Sequence, residues 1–302
     1  MKAYKGFNKD MTCTPDGRAP FQYKEGETYE EPEAELCKKG FHACLEPLDC
    51  LNYYDICNSV YHEVELEDVR DQREKSDTKV CGKKIKIGAK LSIKDIVKAS
   101  VDFTMESVKK EGGVDPNDFA QLASSGDSAQ LASSGDSAKL ASSGYSAKLA
   151  SSGYFAQLAS SGDFAQLASS GDSAKLASSG DSAQLASSGY SAQLASSGDS
   201  AKLASSGYFA QLASSGYFAK LASSGDSAKL ASSGKNSVVM SAGINGKVKA
   251  AVGNWIAIAE WKIKDSHFVP VGIVAAKVDG EKIKADTWYK CENGQLVEAE
   301  EE

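Results

Sequence analysis

The residues best suited to chemistry cluster in the stretch CKKGFHACLEPLDCLNYYDIC, which holds Cys37, His42, Cys44, Cys50 and Cys57. Thiolate and imidazole are the ligands zinc prefers, so Cys37, His42 and Cys44, with Cys13 or Cys57 as a fourth, form the metal-binding reading. The stretch lacks paired CxxC knuckles, and the plainer reading is small buried thiols in a reducing compartment. No metal and no other cofactor is assigned on this pattern. The chain's seven cysteines are an odd number, mostly confined to the first domain, which fits reduced thiols in a cytosol.

The order GFHAC, then LNYY, then VYHEVELED resembles the core of ADP-ribosyltransferase-like domains, where a histidine, a tyrosine and a later glutamate surround NAD. That resemblance implies that His42 holds the ribose side, that Tyr53 or Tyr54 stacks on nicotinamide, and that Glu63 or Glu65 activates the acceptor. A histidine in an apolar run and an alternating Glu-Val strand suit plain structure equally well. No GxGxxG, Walker A, HExxH, GxSxG or EF-hand loop is present. The recurring GDS triplets offer one aspartate per nine residues, too few for a calcium loop. The recurring Ser-Ser pairs lack a base, since no histidine lies between residues 63 and 266. A non-enzymatic protein is the leading expectation.

The elements that would position any such residues are dominated by a repeat. Residues 117 to 233 are thirteen nine-residue units of the GDSAQLASS type without an insertion. Glycine (Asn117 in the first), the first alanine, leucine and the closing Ala-Ser-Ser never change; the second position is Asp or Tyr, the third Ser or Phe, the fifth Gln or Lys. Fixed positions should be buried or at corners, variable ones outside. As a helix, nine residues make two and a half turns and throw successive leucines to opposite faces. With a period of two, Ala129 and Leu131 point inward while Ser128 and Gln130 point outward, the alternation of a half-buried strand. Ser133-Ser134-Gly135 is then the corner, with glycine supplying positive φ. The expected fold is mainly β: a β-solenoid with two units per coil, so that residues eighteen apart stack.

Outward on such a coil stand Tyr145, Tyr154, Phe155, Phe164, Tyr190, Tyr208, Phe209, Tyr217 and Phe218, together with Phe119. These aromatics are the expected protein-binding surface, and self-association is the first use for it.

Around the array, residues 1–112 read as a small α+β domain, 113–252 as the solenoid and 253–302 as a β-rich C-terminal cap. Extended segments are expected at Ala3 to Phe7, Val60 to Glu67 and Val80 to Leu91. Ser92 to Asp95 reads as a capping box opening a helix with Ile96, Val97, Val101, Phe103 and Met105 in its apolar pattern. Gly112-Gly113 ends that helix, which is expected to shield the first coil. GKNSVVMSA and GINGKVKAA carry the period to about residue 251, with Val239 and Val248 in the leucine place. Beyond it NWIAIAEWKI and HFVPVGIVAAKV alternate, with turn signals at Asp279-Gly280 and Asn293-Gly294. Trp255, Trp261 and Trp288 are expected to form the core of the cap.

The chain has 302 residues, 41% hydrophobic and 25% charged, with a net charge of −7. That balance argues against a nucleic-acid binder, and within the array aspartates and lysines nearly cancel. The start lacks an apolar signal core and no eighteen-residue apolar run occurs, so neither membrane insertion nor secretion is expected.

The strings MKAYKGFNKDMTC, FQYKEGETYE, CKKGFHAC and PLDCLNYY, with NWIAIAEW and KVDGEKIKADTWYK, resemble uncharacterised proteins of phages and prophages of Gram-positive bacteria. Those proteins carry short GDxSA-type repeats in varying number. The repeat is also similar to the β-rolls of trimeric autotransporter heads and ice-nucleation proteins, but it differs from the first in period, with no secretion anchor expected, and from the second in lacking the outward Thr-x-Thr pair. These resemblances imply a phage-associated structural or interaction scaffold in the cytoplasm of a bacterial host or on the virion. Its partners would be further copies of itself or a host or virion protein. The alternatives are an N-terminal NAD-using transferase carried on a solenoid and a counter-defence protein that sequesters a host factor.

Overall fold

The structure, a computed structural model, describes residues 1–13, 20–69, 78–107 and 113–300. The chain is mainly β and divides into two compact units, Met1–Phe103 and Thr104–Glu302.

In the first unit, alternating segments form a six-stranded sheet of β1 (Lys2–Asn8), β4 (Thr28–Glu30), β5 (Phe41–Cys44), β6 (Ser59–Glu67), β7 (Lys79–Gly82) and β8 (Lys84–Leu91). The order is β4-β8-β6-β1-β5-β7 and every pairing is antiparallel. A two-stranded ribbon of β2 (Thr12–Cys13) and β3 (Phe21–Gln22) lies beside it in sequence. Ala3, Phe7, Phe41, Ala43, Val64, Leu66, Ile85 and Ile87 bury the apolar face. Of the segments expected from alternation, Ala3 to Phe7 and Val60 to Glu67 are single strands, whereas Val80 to Leu91 is divided at Lys83 into β7 and β8, which are not neighbours in the sheet. β5 falls in the run first singled out for its cysteines. Pro47–Asn52 is a 3-10 helix, started by the Glu46 side chain.

The capping box forms as expected. Ser92 N and Oγ both donate to Asp95 Oδ2, and Asp95 N donates back to Ser92 Oγ. It opens α1 (Ile93–Ser107), whose Ile96, Val97 and Val101 are buried. The bond that anchors this helix is from Ser100 Oγ to the buried Glu46 carboxylate, in the N-terminal unit. The Met105 side chain and the expected stop at Gly112 lie outside the described residues.

The second unit is a β-solenoid of about eight turns over residues 121–258. Four-residue strands run from β10 (Gln121–Ser124) to β24 (Lys247–Ala250) at nine-residue intervals. Even-numbered strands make one parallel sheet and odd-numbered strands the other, the latter beginning at β9 (Gly113–Val114). Each strand pairs in register with the strand eighteen residues on, so that Leu122 meets Leu140 and Leu131 meets Leu149. One leucine column and one alanine column from each sheet fill the interior, with Val239 and Val248 continuing the leucine place. The eighth-position serines point inward as well: Gly135 N donates to Ser133 Oγ at 3.1 Å, and Gly153 N to Ser151 Oγ at 3.3 Å.

The corner differs from expectation. No array glycine has a positive φ; the left-handed residue is the third of each unit, whether serine or phenylalanine, as at Ser128 (φ 57°), Phe155 (φ 57°) and Ser182 (φ 56°). Glycine is required for proximity instead. A Cβ on Gly144 would fall on the carbonyl oxygen of Gly126, one coil below. Coils ~4.8 Å apart leave no room for it.

At the C-terminal end β25 (Trp255–Lys264) adds parallel to the odd sheet and turns back as β26 (His267–Lys277), while β27 (Tyr289–Glu292) and β28 (Gln295–Glu298) extend the even sheet. Asn293-Gly294 makes the expected hairpin turn with both φ values positive, 52° and 72°. Trp255 corrects the sequence reading of the cap core. The strand turns Ile256 and Ile258 inward, so Trp255 faces out, half exposed, and only Trp288 of the three tryptophans is fully buried. Trp261 is partly buried and its indole N–H donates to Ala242 O at 2.9 Å. No helix among the described residues is long and apolar enough to cross a membrane.

Candidate functional site

The second and third positions of each unit lie at the corners, whereas the fifth opens each strand and, contrary to the outward placement expected of it, is buried at Gln157 and Lys175. All nine aromatics expected to face outward, and Phe119, are 47% to 56% exposed. In two places a second-position tyrosine meets the third-position phenylalanine of the next coil: Tyr145 with Phe164 at 5.2 Å and Tyr190 with Phe209 at 5.3 Å between centroids. Such tilted pairs hold their rings against the coil rather than free in solvent.

The aspartates that alternate with those tyrosines are not merely a solvated charged face. Each of the eight repeat aspartates accepts, through Oδ1, the backbone N–H of the residue eighteen positions later, at 2.8 to 3.1 Å. Asp172 thus holds Tyr190 N and Asp181 holds Asp199 N. Sequence reasoning missed this role because it took variation to mean absence of structure. The signal was there: one of the two residues allowed is the acidic side chain that most readily binds a turn amide.

In the N-terminal unit, β1, β5 and the segments around them enclose a pocket of about 560 Å³ lined by residues between Tyr4 and Lys79. It brings together Cys13, Cys37, His42, Cys44, Cys50, Tyr53 and Tyr54 from the sequence analysis, but not Cys57. Gly6 makes room for it: a Cβ there would overlap the Tyr54 ring. Tyr53 is half exposed, with the Lys79 ammonium 4.4 Å from its ring centroid. Burial, with the Lys5 and Lys79 charges near it, lowers the His42 imidazole to about 4, so it is neutral at physiological pH. Its Nε2 accepts the Cys37 N–H at 2.9 Å, which fixes the proton on Nδ1.

Glu63 and Glu65 do not line this pocket. The Glu63 carboxylate pairs with Lys2 Nζ at 2.9 Å instead. Among the described residues no three His, Cys, Asp or Glu side chains converge as metal ligands. The structure therefore gathers the histidine and tyrosines of the transferase-like order without its glutamate, and the thiols without a coordination geometry.

Sequence analysis did not single out Lys5. Strand alternation places it on the side of Ala3 and Phe7, only 8% exposed. Its ammonium donates to His42 O at 2.9 Å and lies 5.4 Å from the Phe7 ring centroid and 5.9 Å from that of Tyr23. Burial lowers its pKa from the ordinary lysine value. The phenols of Tyr23 and Tyr54 are pushed upward by burial and stay neutral.

No curated protein and no solved structure matches the chain. Residues 1–99, about a third of its length, match a family model described as a domain of unknown function (DUF7666).

Proposed function

We propose that the protein is a non-enzymatic scaffold whose solenoid associates with further copies of itself through the aromatic columns at its corners. One observation carries this reading. The corner aspartates are spent on coil-to-coil amide bonds, which leaves half-exposed tyrosine and phenylalanine as the outward recognition chemistry along both edges. Aromatic rings supply large contact area at low cost in side-chain entropy, and they are over-represented where proteins meet. Several coils present such rings, so weak contacts add along the rod. The resemblance to phage and prophage repeat proteins gives this scaffold its setting.

The test is the solution mass of the full-length protein across a concentration series, with circular dichroism on the same samples. The expected result is a strand-rich oligomer that shrinks when Tyr145, Tyr154, Tyr190, Tyr208 and Tyr217 are replaced by serine, with the strand signal unchanged. A strand-rich monomer at every concentration, or a variant of unaltered mass, overturns the reading.

A further inference from the structure

The N-terminal pocket contains a buried lysine that no carboxylate pairs with among the described residues. Lys5 is more than nine-tenths buried. Among the described residues its only hydrogen-bond acceptor is the His42 carbonyl. An ammonium carries three donors and loses its hydration on burial, so interiors normally give it a carboxylate. Among the described residues no carboxylate pairs with it. The ionisable groups that act on Lys5 are the thiols of Cys13, Cys50 and Cys44 and the like charge of Lys79. Thiols are weak acceptors.

The rest of the wall leans the same way. Lys5, Lys38, Lys39 and Lys79 line the pocket against the single carboxylate of Glu31. Lys38 and Lys39 are paired outward, with Glu35 and Glu33, each at 2.6 Å. Lys5 thus stands in a lysine-rich wall shared with the rings of Tyr23, Phe41, Tyr53 and Tyr54. The volume of about 560 Å³ falls within the range of small-molecule sites.

We infer that this pocket binds a small molecule in which an anionic oxygen group is joined to a planar apolar ring, the anion seated on the Lys5 ammonium and the ring between the tyrosines. The anion supplies the missing countercharge and the aromatic walls take the ring. Carboxylate and phosphate share the chemistry required. The site is independent of the corner columns, since every lining residue lies at or before Lys79.

The experiment is calorimetric titration of full-length protein with benzoate, phenyl phosphate and neutral benzamide, repeated on Lys5→Met. The expected result is binding of at least one anion, with benzamide at least about tenfold weaker, a difference of about 1.4 kcal/mol. The stronger of the two anions identifies the group as carboxylate or phosphate. In Lys5→Met the anion affinity falls by a similar factor while the melting temperature holds or rises, because an unbalanced buried charge has been removed. Equal affinity for benzamide, unchanged anion affinity in Lys5→Met, or no binding of any probe at millimolar concentration overturns the inference. The comparison of charged and neutral probes on unaltered protein decides the matter even if the variant does not fold.

Discussion

Within one repeat unit three residues divide the work of turning a corner, and each makes a separate prediction. The second-position aspartate bonds to the coil above, as Asp172 does to Tyr190 N. Replacing Asp172 with alanine leaves that amide to water and should cost about 1 kcal/mol, read from the denaturant midpoint. The first-position glycine is held by proximity: a Cβ on Gly180 would fall on the Gly162 carbonyl oxygen. Gly180→Ala should therefore destabilise by about 2 to 4 kcal/mol, the range for substitutions that force a packed backbone apart. The third residue carries the left-handed strain, Ser182 at φ 56° and, in the decayed units, Asn236 and Asn245 at φ 57°. Asparagine tolerates that region better than serine does. Ser182→Asn should then stabilise by up to about 1 kcal/mol in the same measurement. A period of nine made the corner legible in the sequence, and glycine was its obvious left-handed residue. Conformation and contact were exchanged in that reading, because what a Cβ meets is set by the stacked coil and not by the local string.

At the scale of elements, alternation identified β1, β6, β8 and β25, each with one buried face, and also β26, none of whose residues is buried. It did not say which tryptophans that face would bury; parity sent Trp255 outward and Ile256 and Ile258 inward. The C-terminal hairpin is tied to β25 by an interaction that strand patterns do not carry. Glu260 is buried on β25, and its carboxylate accepts Asn293 N at 3.0 Å and Gly294 N at 2.7 Å. The Gly294 amide foremost, with Lys262 and the Asn293 amide, holds the Glu260 carboxyl below its ordinary value. A depressed carboxyl contributes stability that is present above the unfolded value near 4.5 and is lost as pH falls through the folded one. Protection of the Gly294 amide against hydrogen exchange should accordingly weaken as pH drops below about 4.5, after correction for intrinsic exchange. Glu260→Gln should remove that acid dependence. The pocket was half legible in the same sense: the cysteines, His42 and the tyrosines announced themselves by type, whereas Lys5 was one lysine among many until strand parity turned it inward.

For the whole molecule, stability and association come from different parts of the same repeat, and the array permits the two to be separated. A solenoid is quasi-one-dimensional, so each coil interacts with its neighbours and one coil is removable without disturbing the rest. Eighteen residues are the unit that preserves register, as the pairing of Leu158 with Leu176 and Leu194 with Leu212 requires. Residues 171–188 form a coil with Asp172 and Asp181 at its corners and no aromatic residue. Residues 207–224 form a coil of the same length bearing Tyr208, Phe209, Tyr217 and Phe218. Both deletions bring like units together, so both should fold with the strand signal of the parent and a rod shorter by ~4.8 Å. They differ in what they take from the corners. Removing 171–188 should leave the oligomer's concentration dependence nearly unchanged, because every exposed ring survives. Removing 207–224 deletes four rings and should move the midpoint of association to higher concentration by about tenfold or more, since aromatic contacts are worth roughly 0.5–1.5 kcal/mol apiece beyond the area they bury. If the two deletions weaken association equally, rod length governs assembly and the columns do not; if neither does, the contacts between copies lie outside the array.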